Sequence, residues 1–75
     1  MLIYKNNDRD TGVVAYQPGT GNIAVQFRDG SVYLYTDDSA GKTAINAMKR
    51  LAKRGSGLTT YINQHVKDRY VAKVK

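Results

Sequence analysis

The chain has 75 residues, a net charge of +6 and no cysteine. This length allows one hydrophobic core and excludes a second, and the absent cysteines exclude disulfides and thiolate metal sites. Hydrophobic residues make up 41% and charged residues 24% of the chain, a mixture typical of a folded domain rather than a disordered one. We therefore expect a single small domain over residues 1–75.

The chain starts with MLIYKNNDRD, in which only three apolar residues come before polar ones, too few for a signal peptide or a membrane span. A chain without cysteine also fits a reducing compartment. We therefore expect a cytoplasmic protein that does not bind a membrane.

The charge is concentrated in one half of the chain. Residues 1–38 carry three basic and five acidic side chains, whereas residues 39–75 carry nine basic side chains and one acid, Asp68. Such an uneven field favours a polyanionic partner such as a nucleic acid, or an acidic protein surface. The alternative is a positive charge that only keeps a small protein soluble.

Three stretches rich in β-branched and aromatic residues predict strands: GVVAYQ (12–17), NIAVQFR (22–28) and SVYLYT (31–36). Residues 1–5 are able to add an edge strand, followed by a polar loop over residues 6–10. Asp29-Gly30 is the strongest hairpin signal in the chain. A two-residue turn there places Phe27 opposite Val32 and Ala24 opposite Tyr35.

This pairing divides the predicted sheet into two faces. One face holds Ile23, Val25, Phe27, Val32 and Leu34; the opposite face holds Ala24, Gln26, Arg28, Tyr33 and Tyr35. If the PGTG loop closes with Gln17 opposite Asn22, Val14 and Tyr16 join the first face, and Val13 and Ala15 join the second.

Two helices and a last strand follow. Asp37, Asp38 or Ser39 is expected to cap a helix that ends at Gly55. Its apolar stripe consists of Ala40, Ala44, Ile45, Met48, Leu51 and Ala52. A shorter helix has the stripe Leu58, Tyr61, Ile62, His65 and Val66, and residues 69–75 alternate as a strand. The order β-β-β-α-α-β predicts an α+β fold, in which two helices pack on a small antiparallel sheet.

The sequence gives little support to catalysis. SAGKT (39–43) resembles the end of a phosphate-binding loop, but Thr36 stands where that motif needs glycine, and the neighbouring aspartates repel phosphate. His65 is the single histidine, and on an apolar stripe we expect a partly buried core residue. We predict no enzyme activity, no catalytic residue, no metal site and no cofactor.

The basic face of the first helix is the best candidate site. Lys49, Arg50, Lys53 and Arg54 lie within six residues, and Lys67 and Arg69 follow. Several cations on one surface neutralise successive phosphates and release counterions, although a solvated helix face has the same pattern. The opposite, alanine-rich side has no Trp or Phe to insert into lipid.

Tyr33 and Tyr35 form a second candidate site together with Arg28, which shares their predicted face. Aromatic rings on an open sheet stack nucleic-acid bases. The alternative is that the rings are half of a core or are covered by a second copy. If the first helix covers the opposite face, its cations point away from the tyrosines and the two candidate surfaces are separate.

In order along the chain, AYQP (15–18), IAVQF (23–27), Asp29-Gly30, YLY (33–35), GSG (55–57), YINQHV (61–66) and Tyr70 resemble the motifs of the KTSC domain. This small module occurs at the C-terminus of some lysyl-tRNA synthetases and as a stand-alone bacterial protein. The match covers about residues 12–74. It departs from the family at Gln17, where Asp is usual, at TDDSAGKTAI (36–45), where a Val-Pro helix start is usual, and at 58–60, which lengthen the approach to Tyr61.

The KTSC family has no established activity, and its association with a tRNA synthetase implies RNA rather than DNA as the partner. From the residues and the resemblance together, we expect a non-catalytic RNA- or nucleic-acid-binding accessory domain. The alternative is a protein-interaction or homodimerisation module that uses the exposed sheet face or a sheet edge.

Overall fold

The computed structural model describes residues 1–5 and 12–75. Five strands form one antiparallel sheet in the order β1-β2-β3-β4-β5. They are β1 (Leu2–Ile3), β2 (Val13–Gly19), β3 (Asn22–Phe27), β4 (Val32–Thr36) and β5 (Ala72–Lys73). The helices are α1 (Asp37–Ala40), α2 (Lys42–Arg54) and α3 (Leu58–Tyr61), which continues as a π-helix over Ile62–Val66.

The predicted α+β class is confirmed, and the edge strand near the start of the chain is present as β1. The predicted order β-β-β-α-α-β is wrong in detail, because the first helix is divided in two and the last strand is shorter. The loop predicted over residues 6–10 lies outside the described residues.

The β3–β4 hairpin turns through three residues, not two. The backbone N–H of Phe27 donates to the Ser31 carbonyl at 2.8 Å, and the N–H of Gly30 donates to the Phe27 carbonyl at 2.9 Å. Gly30 has a φ of 91°, which fits the common three-residue loop that ends in a left-handed glycine. As a result Tyr33 lies opposite Val25, and Tyr35 lies opposite Ile23.

This one-residue difference exchanges the two faces of β4, so the predicted face assignment is wrong. Tyr35 is 1% exposed and packs with Ile23 and Val25 in the core. Leu34 pairs with Ala24 on the opposite side of the sheet. We call that side the outer face; by strand pairing it carries Ile3, Ala15, Gln17, Ala24, Gln26, Val32, Leu34 and Ala72.

Strand β2 pairs with β3 two residues away from the predicted register, with Gly19 opposite Asn22. A shift of two preserves the faces, so Tyr16 lies on the core side as predicted. A β-bulge between Val13 and Ala15 then reverses the predicted positions of the two valines. Val13 is 1% exposed, whereas Val14 is 41% exposed.

The N-cap of helix α1 is Thr36, one residue before the predicted caps. The Thr36 side chain accepts from the N–H of Ser39 at 3.1 Å, and the Ser39 hydroxyl accepts from the N–H of Thr36 at 3.0 Å. This reciprocal pair is a capping box. Gly41, with φ 92° and ψ 143°, separates α1 from α2, and Gly55 ends α2 in the left-handed conformation, as predicted.

The helices cover the core face of the sheet with the predicted apolar stripe, of which Leu51 is only half-buried. Below α2, Leu58, Ile62 and Val66 are buried at a spacing of four residues. The expectation of a core histidine is wrong, since His65 is exposed. In the π-helix the buried residues are Ile62 and Val66, four positions apart. His65, one position before Val66, therefore faces outward and stacks on Tyr61.

Strand β5 is limited to two residues, although residues 69–75 were expected to form a strand. Its pairing with β4 extends through the N–H of Val71, which donates to the Leu34 carbonyl at 2.7 Å. Tyr70 precedes β5, and its ring packs against Tyr33. Within the described ranges, no helix combines the length and the apolar character needed to cross a membrane.

Candidate functional site: a basic helix face and an aromatic cleft

Helix α2 presents a row of cations to solvent on the side away from the sheet. Lys42, Arg50, Lys53 and Arg54 are all exposed, and we call these four residues the α2 patch. Because a helix rises about 1.5 Å per residue, the patch extends over about 18 Å, or roughly five phosphates of one nucleic-acid strand. The apolar stripe against the sheet fixes which side of α2 is presented.

Lys49 does not belong to this row. It is half-buried, and its ammonium donates a hydrogen bond to the carbonyl of Gly19 at the end of β2. The charge therefore attaches α2 to the sheet. Of the four cations that the sequence grouped together, Arg50, Lys53 and Arg54 are presented on one surface, and Lys49 is engaged elsewhere.

The remaining predicted cations lie in other parts of the fold. Lys67 and Arg69 are exposed just after the π-helix, and Arg28 is exposed in the β3–β4 loop. The backbone N–H of Arg28 donates to the Gly12 carbonyl at 2.8 Å, and that of Arg69 donates to the Val66 carbonyl at 2.8 Å. Both backbones are held in place while their side chains extend into solvent.

A cleft of about 310 Å³ opens between the loop end of the β3–β4 hairpin and the π-helix. We call it the aromatic cleft. Its lining consists of Phe27, Asp29, Tyr33, Tyr35, Ile62, Asn63, Lys67, Asp68 and Tyr70. None of the α2 patch lines it, so the two candidate surfaces are distinct features of one fold.

Four aromatic rings build the apolar part of the aromatic cleft. Phe27 meets Tyr33 edge-on, with ring centroids 5.6 Å apart and an interplanar angle of 82°. Tyr33 and Tyr70 are closer, at 4.7 Å and 55°, and Tyr70 meets Tyr35 edge-on at 6.3 Å. Edge-on and tilted contacts are the favoured geometries of aromatic pairs, so the rings support one another and keep the cleft open.

The tyrosines predicted as a stacking platform have different environments. Tyr33 is half-buried at the cleft, and Tyr70, which was predicted as a strand residue and as the last position of the KTSC motif set, is 40% exposed. Tyr35 lies at the floor and presents no open ring face. Burial, with smaller contributions from Tyr33, Tyr70 and Asp68, raises the pKa of Tyr35 to about 12.

Charged groups of both signs surround the rings. The carboxylate of Asp29 accepts a hydrogen bond from the N–H of Ser31 at 2.9 Å, and this bond lowers the pKa of Asp29 below its usual value. Lys73 adds to that effect, and its ammonium lies 5.8 Å from the centroid of the Tyr33 ring. Asp68 and Lys67 line the opposite side of the cleft.

Sequence reasoning missed Phe27, Asn63 and Tyr70 as site residues. Phe27 was predicted to lie on a core face. Tyr70 was predicted to lie in the last strand, but β5 begins only at Ala72, two residues after Tyr70. The available signal was the Tyr70 position in the KTSC motif set, which indicated a fixed aromatic residue without indicating its contact with Tyr33.

The structure also locates the two remaining motifs, SAGKT and His65. SAGKT forms the junction of α1 and α2 and follows β4, which is an antiparallel strand. A phosphate-binding loop instead follows a parallel strand. His65 stacks on Tyr61 with centroids 4.5 Å apart. No three His, Cys, Asp or Glu side chains among residues 1–5 and 12–75 come together as metal ligands.

Comparison with protein-family models, with curated proteins and with solved structures gives no match to this chain.

Proposed function

We propose that this chain is a non-catalytic nucleic-acid-binding domain of the KTSC type, with single-stranded or folded RNA as its partner. The α2 patch contacts phosphates, and further contacts come from Lys67 and Arg69, which follow the π-helix, and from Arg28 in the β3–β4 loop. Binding of this kind needs fixed cations on one surface rather than a catalytic group.

The observation that carries the proposal is the exposure of the basic half of the chain. Eight of the nine basic residues between 39 and 75 are exposed, and Asp68 is the single acid among them. In the α2 patch the cations share one side of a rigid helix whose other side is buried. Cations held in this way release counterions from a polyanion. Binding then avoids the loss of conformational entropy that ordering a mobile basic tail costs.

RNA is proposed over DNA because of the resemblance to the KTSC domain. The three-residue hairpin, the Tyr-x-Tyr strand and Tyr70 come together in one cluster here, which gives those motif positions a shared structural reason. The resemblance supports RNA as the partner, and the charge distribution independently supports a nucleic acid of either kind.

The proposal is tested by fluorescence anisotropy with a labelled single-stranded RNA and a tRNA at several salt concentrations. We expect the logarithm of the affinity to fall linearly with the logarithm of the salt concentration. An Arg50→Ala/Lys53→Ala variant loses two phosphate contacts, so its slope decreases by about two. Lys5→Ala, which removes an exposed cation from the other half of the chain, is the matched control and keeps the slope.

Absence of binding at low salt contradicts the proposal, as does binding that does not depend on salt. Equal slopes for the wild type and the double variant would move the phosphate contacts away from the α2 patch.

A second candidate function is homodimerisation through the outer face. This face carries no Lys, Arg, Asp or Glu in the described strands, and it holds three alanines together with Leu34 and Val32. A second copy is the occupant that we propose: each protomer has a charge of +6, and contact through this face brings no like charges of the described strands directly together. No described helix packs on this side of the sheet.

Sedimentation equilibrium over a range of protein concentrations tests this second candidate. Leu34→Lys introduces a charge on the outer face and is expected to convert a dimer to a monomer while the fold remains. Thr43→Lys adds the same charge at an exposed position of α2 and serves as the control. A monomeric wild type at high concentration excludes the dimer.

A further inference from the structure

We propose that the aromatic cleft binds a single nucleobase that carries an exocyclic amino group, as adenine, cytosine and guanine do and uracil does not. This inference rests on the proposed nucleic-acid binding and adds base preference to it. The base stacks on Tyr70 and Tyr33, its amino group donates to the carboxylate of Asp29, and its phosphates stay outside the cleft.

The size of the cleft fits one planar ring system. Its volume of about 310 Å³ is at the lower end of the range of ligand sites, so it has no room for several nucleotides. Tyr70 is 40% exposed, and its ring lies 4.7 Å from that of Tyr33. An exposed ring supported by another aromatic is a suitable surface for stacking an unpaired base.

The charge balance of the cleft favours an uncharged guest. Asp29, Asp68 and Lys67 line the cleft, and the Lys73 ammonium lies 5.8 Å from the centroid of the Tyr33 ring, so two negative and two positive charges surround the rings. A cleft whose charges cancel attracts neither a phosphate nor an ammonium group into its centre. The same groups provide hydrogen-bond acceptors and donors, which match the mixed edge of a nucleobase.

Asp29 is the acceptor that the geometry points to. The backbone N–H of Ser31 donates to Oδ1 of Asp29 at 2.9 Å and holds the carboxylate in place. Because its pKa is lowered, the group is ionised at neutral pH and only accepts hydrogen bonds. Carboxylates accept from base amino groups such as N4 of cytosine. Uracil has no amino donor to offer.

The opposite wall is formed by the π-helix, which contributes Ile62 and Asn63 to the lining. Turns of π-helix are rare in proteins, and those that occur often lie at functional sites. Ile62 is 2% exposed and keeps this wall packed on the core, while Asn63 is exposed and offers a further donor and acceptor beside the rings.

The test uses homopolymeric RNA octamers of cytidine, adenosine and uridine, which carry equal numbers of phosphates. Anisotropy titrations with the wild-type protein are expected to show tighter binding of the first two by about tenfold, a typical gain from one good hydrogen-bonded contact. Tyr70→Ala is expected to weaken binding of every octamer by roughly five- to a hundredfold, the usual effect of one lost stack. Tyr61→Ala removes a tyrosine outside the cleft and is the matched control.

Asp29→Asn is a second variant. Asp29 is exposed in a loop, so this substitution removes no aromatic packing contact. It is expected to reduce the preference for cytidine over uridine, with the salt slope unchanged. In ¹⁵N-resolved NMR spectra, titration with cytidine monophosphate is expected to shift the amide signals of Asn63, Tyr33 and Tyr70 more than those of Arg50 and Lys53.

The outcomes separate this inference from the proposed function. Salt-dependent binding that is equal for all octamers and unaffected by Tyr70→Ala overturns the base site and leaves the α2 patch standing. No binding of any octamer overturns both proposals. Displacement of cytidine monophosphate by a lysine-rich peptide at lower concentration would assign the cleft to a cationic partner and overturn the base site.

Discussion

The hydroxyl oxygen of Tyr4 accepts a hydrogen bond from the backbone N–H of Leu58 at 3.1 Å, across 54 positions of sequence. Leu58 is the first residue of α3, and its N-cap, Gly57, has no side chain with which to cap it. The first N–H groups of a helix have no partner within the helix. Tyr4, which is 3% exposed, thus supplies a cap from the edge of the sheet.

Tyr4→Phe removes this acceptor and leaves a buried N–H without a partner. We expect a loss of about 1–2 kcal/mol of unfolding free energy, which corresponds to a decrease in Tm of roughly 5–15 °C. Thermal unfolding followed by circular dichroism measures it. Tyr70→Phe, at a 40% exposed ring, is the control, and a decrease of equal size there would contradict the capping role.

The register of the β3–β4 hairpin is tested by a pair of substitutions on opposite faces. Ile23→Thr introduces a hydroxyl into the core and removes apolar volume, so we expect a loss of about 2–3 kcal/mol. Leu34→Thr lies on the outer face and is expected to cost about 1 kcal/mol or less. Urea unfolding gives both values. A loss for Leu34→Thr as large as that for Ile23→Thr would support the two-residue turn, which places both residues on the same face.

The junction of α1 and α2 depends on the backbone of Gly41. Its φ of 92° and ψ of 143° lie in a region that side-chain-bearing residues avoid. A Cβ at this position meets no atom within 4 Å, so backbone strain is the whole effect. Gly41→Ala is expected to cost about 1–3 kcal/mol, measured by urea unfolding, and an unchanged midpoint would show that α1 and α2 realign freely.

Alkaline pH is expected to destabilise the fold through Tyr35. Its pKa is raised to about 12 in the folded state, against about 10 for an unfolded tyrosine. The unfolded chain therefore loses this proton first. The stability that depends on the neutral ring is fully present below about pH 10 and is lost as the pH rises through about 12.

Urea unfolding between pH 9 and pH 12 compares the wild type with Tyr35→Phe, which has no proton to lose. We expect the wild type to lose more stability over this range, by on the order of 1 kcal/mol. The absorbance of ionised tyrosine gives an independent titration. Parallel pH dependence in the two proteins would contradict the burial of the Tyr35 hydroxyl.

Local patterns predicted the elements of this fold well. β-branched and aromatic runs marked the strands, the alanine-rich stripe from Ala40 to Ala52 marked the buried side of the first helix, and Gly55 marked its end. These features depend on residues close in sequence, where the period of the backbone alone decides which side chains share a face. The basic face of α2 followed from the same period.

Non-local geometry decided the rest. Both Asp-Gly turn lengths satisfy the local sequence, and only the packing of Tyr35 beside Ile23 under the helices selects the longer loop. The bulge at Val13, the engagement of Lys49 by Gly19 and the contact of Tyr70 with Tyr33 each join residues far apart in the chain.

The sequence by itself therefore determined the α+β class, the helix faces and the concentration of charge. Only the tertiary structure decided which side of the sheet holds the tyrosines, and with it the existence of the aromatic cleft. The physical reason is the two-residue period of a strand: a slip of one residue costs little locally but moves every side chain to the other face.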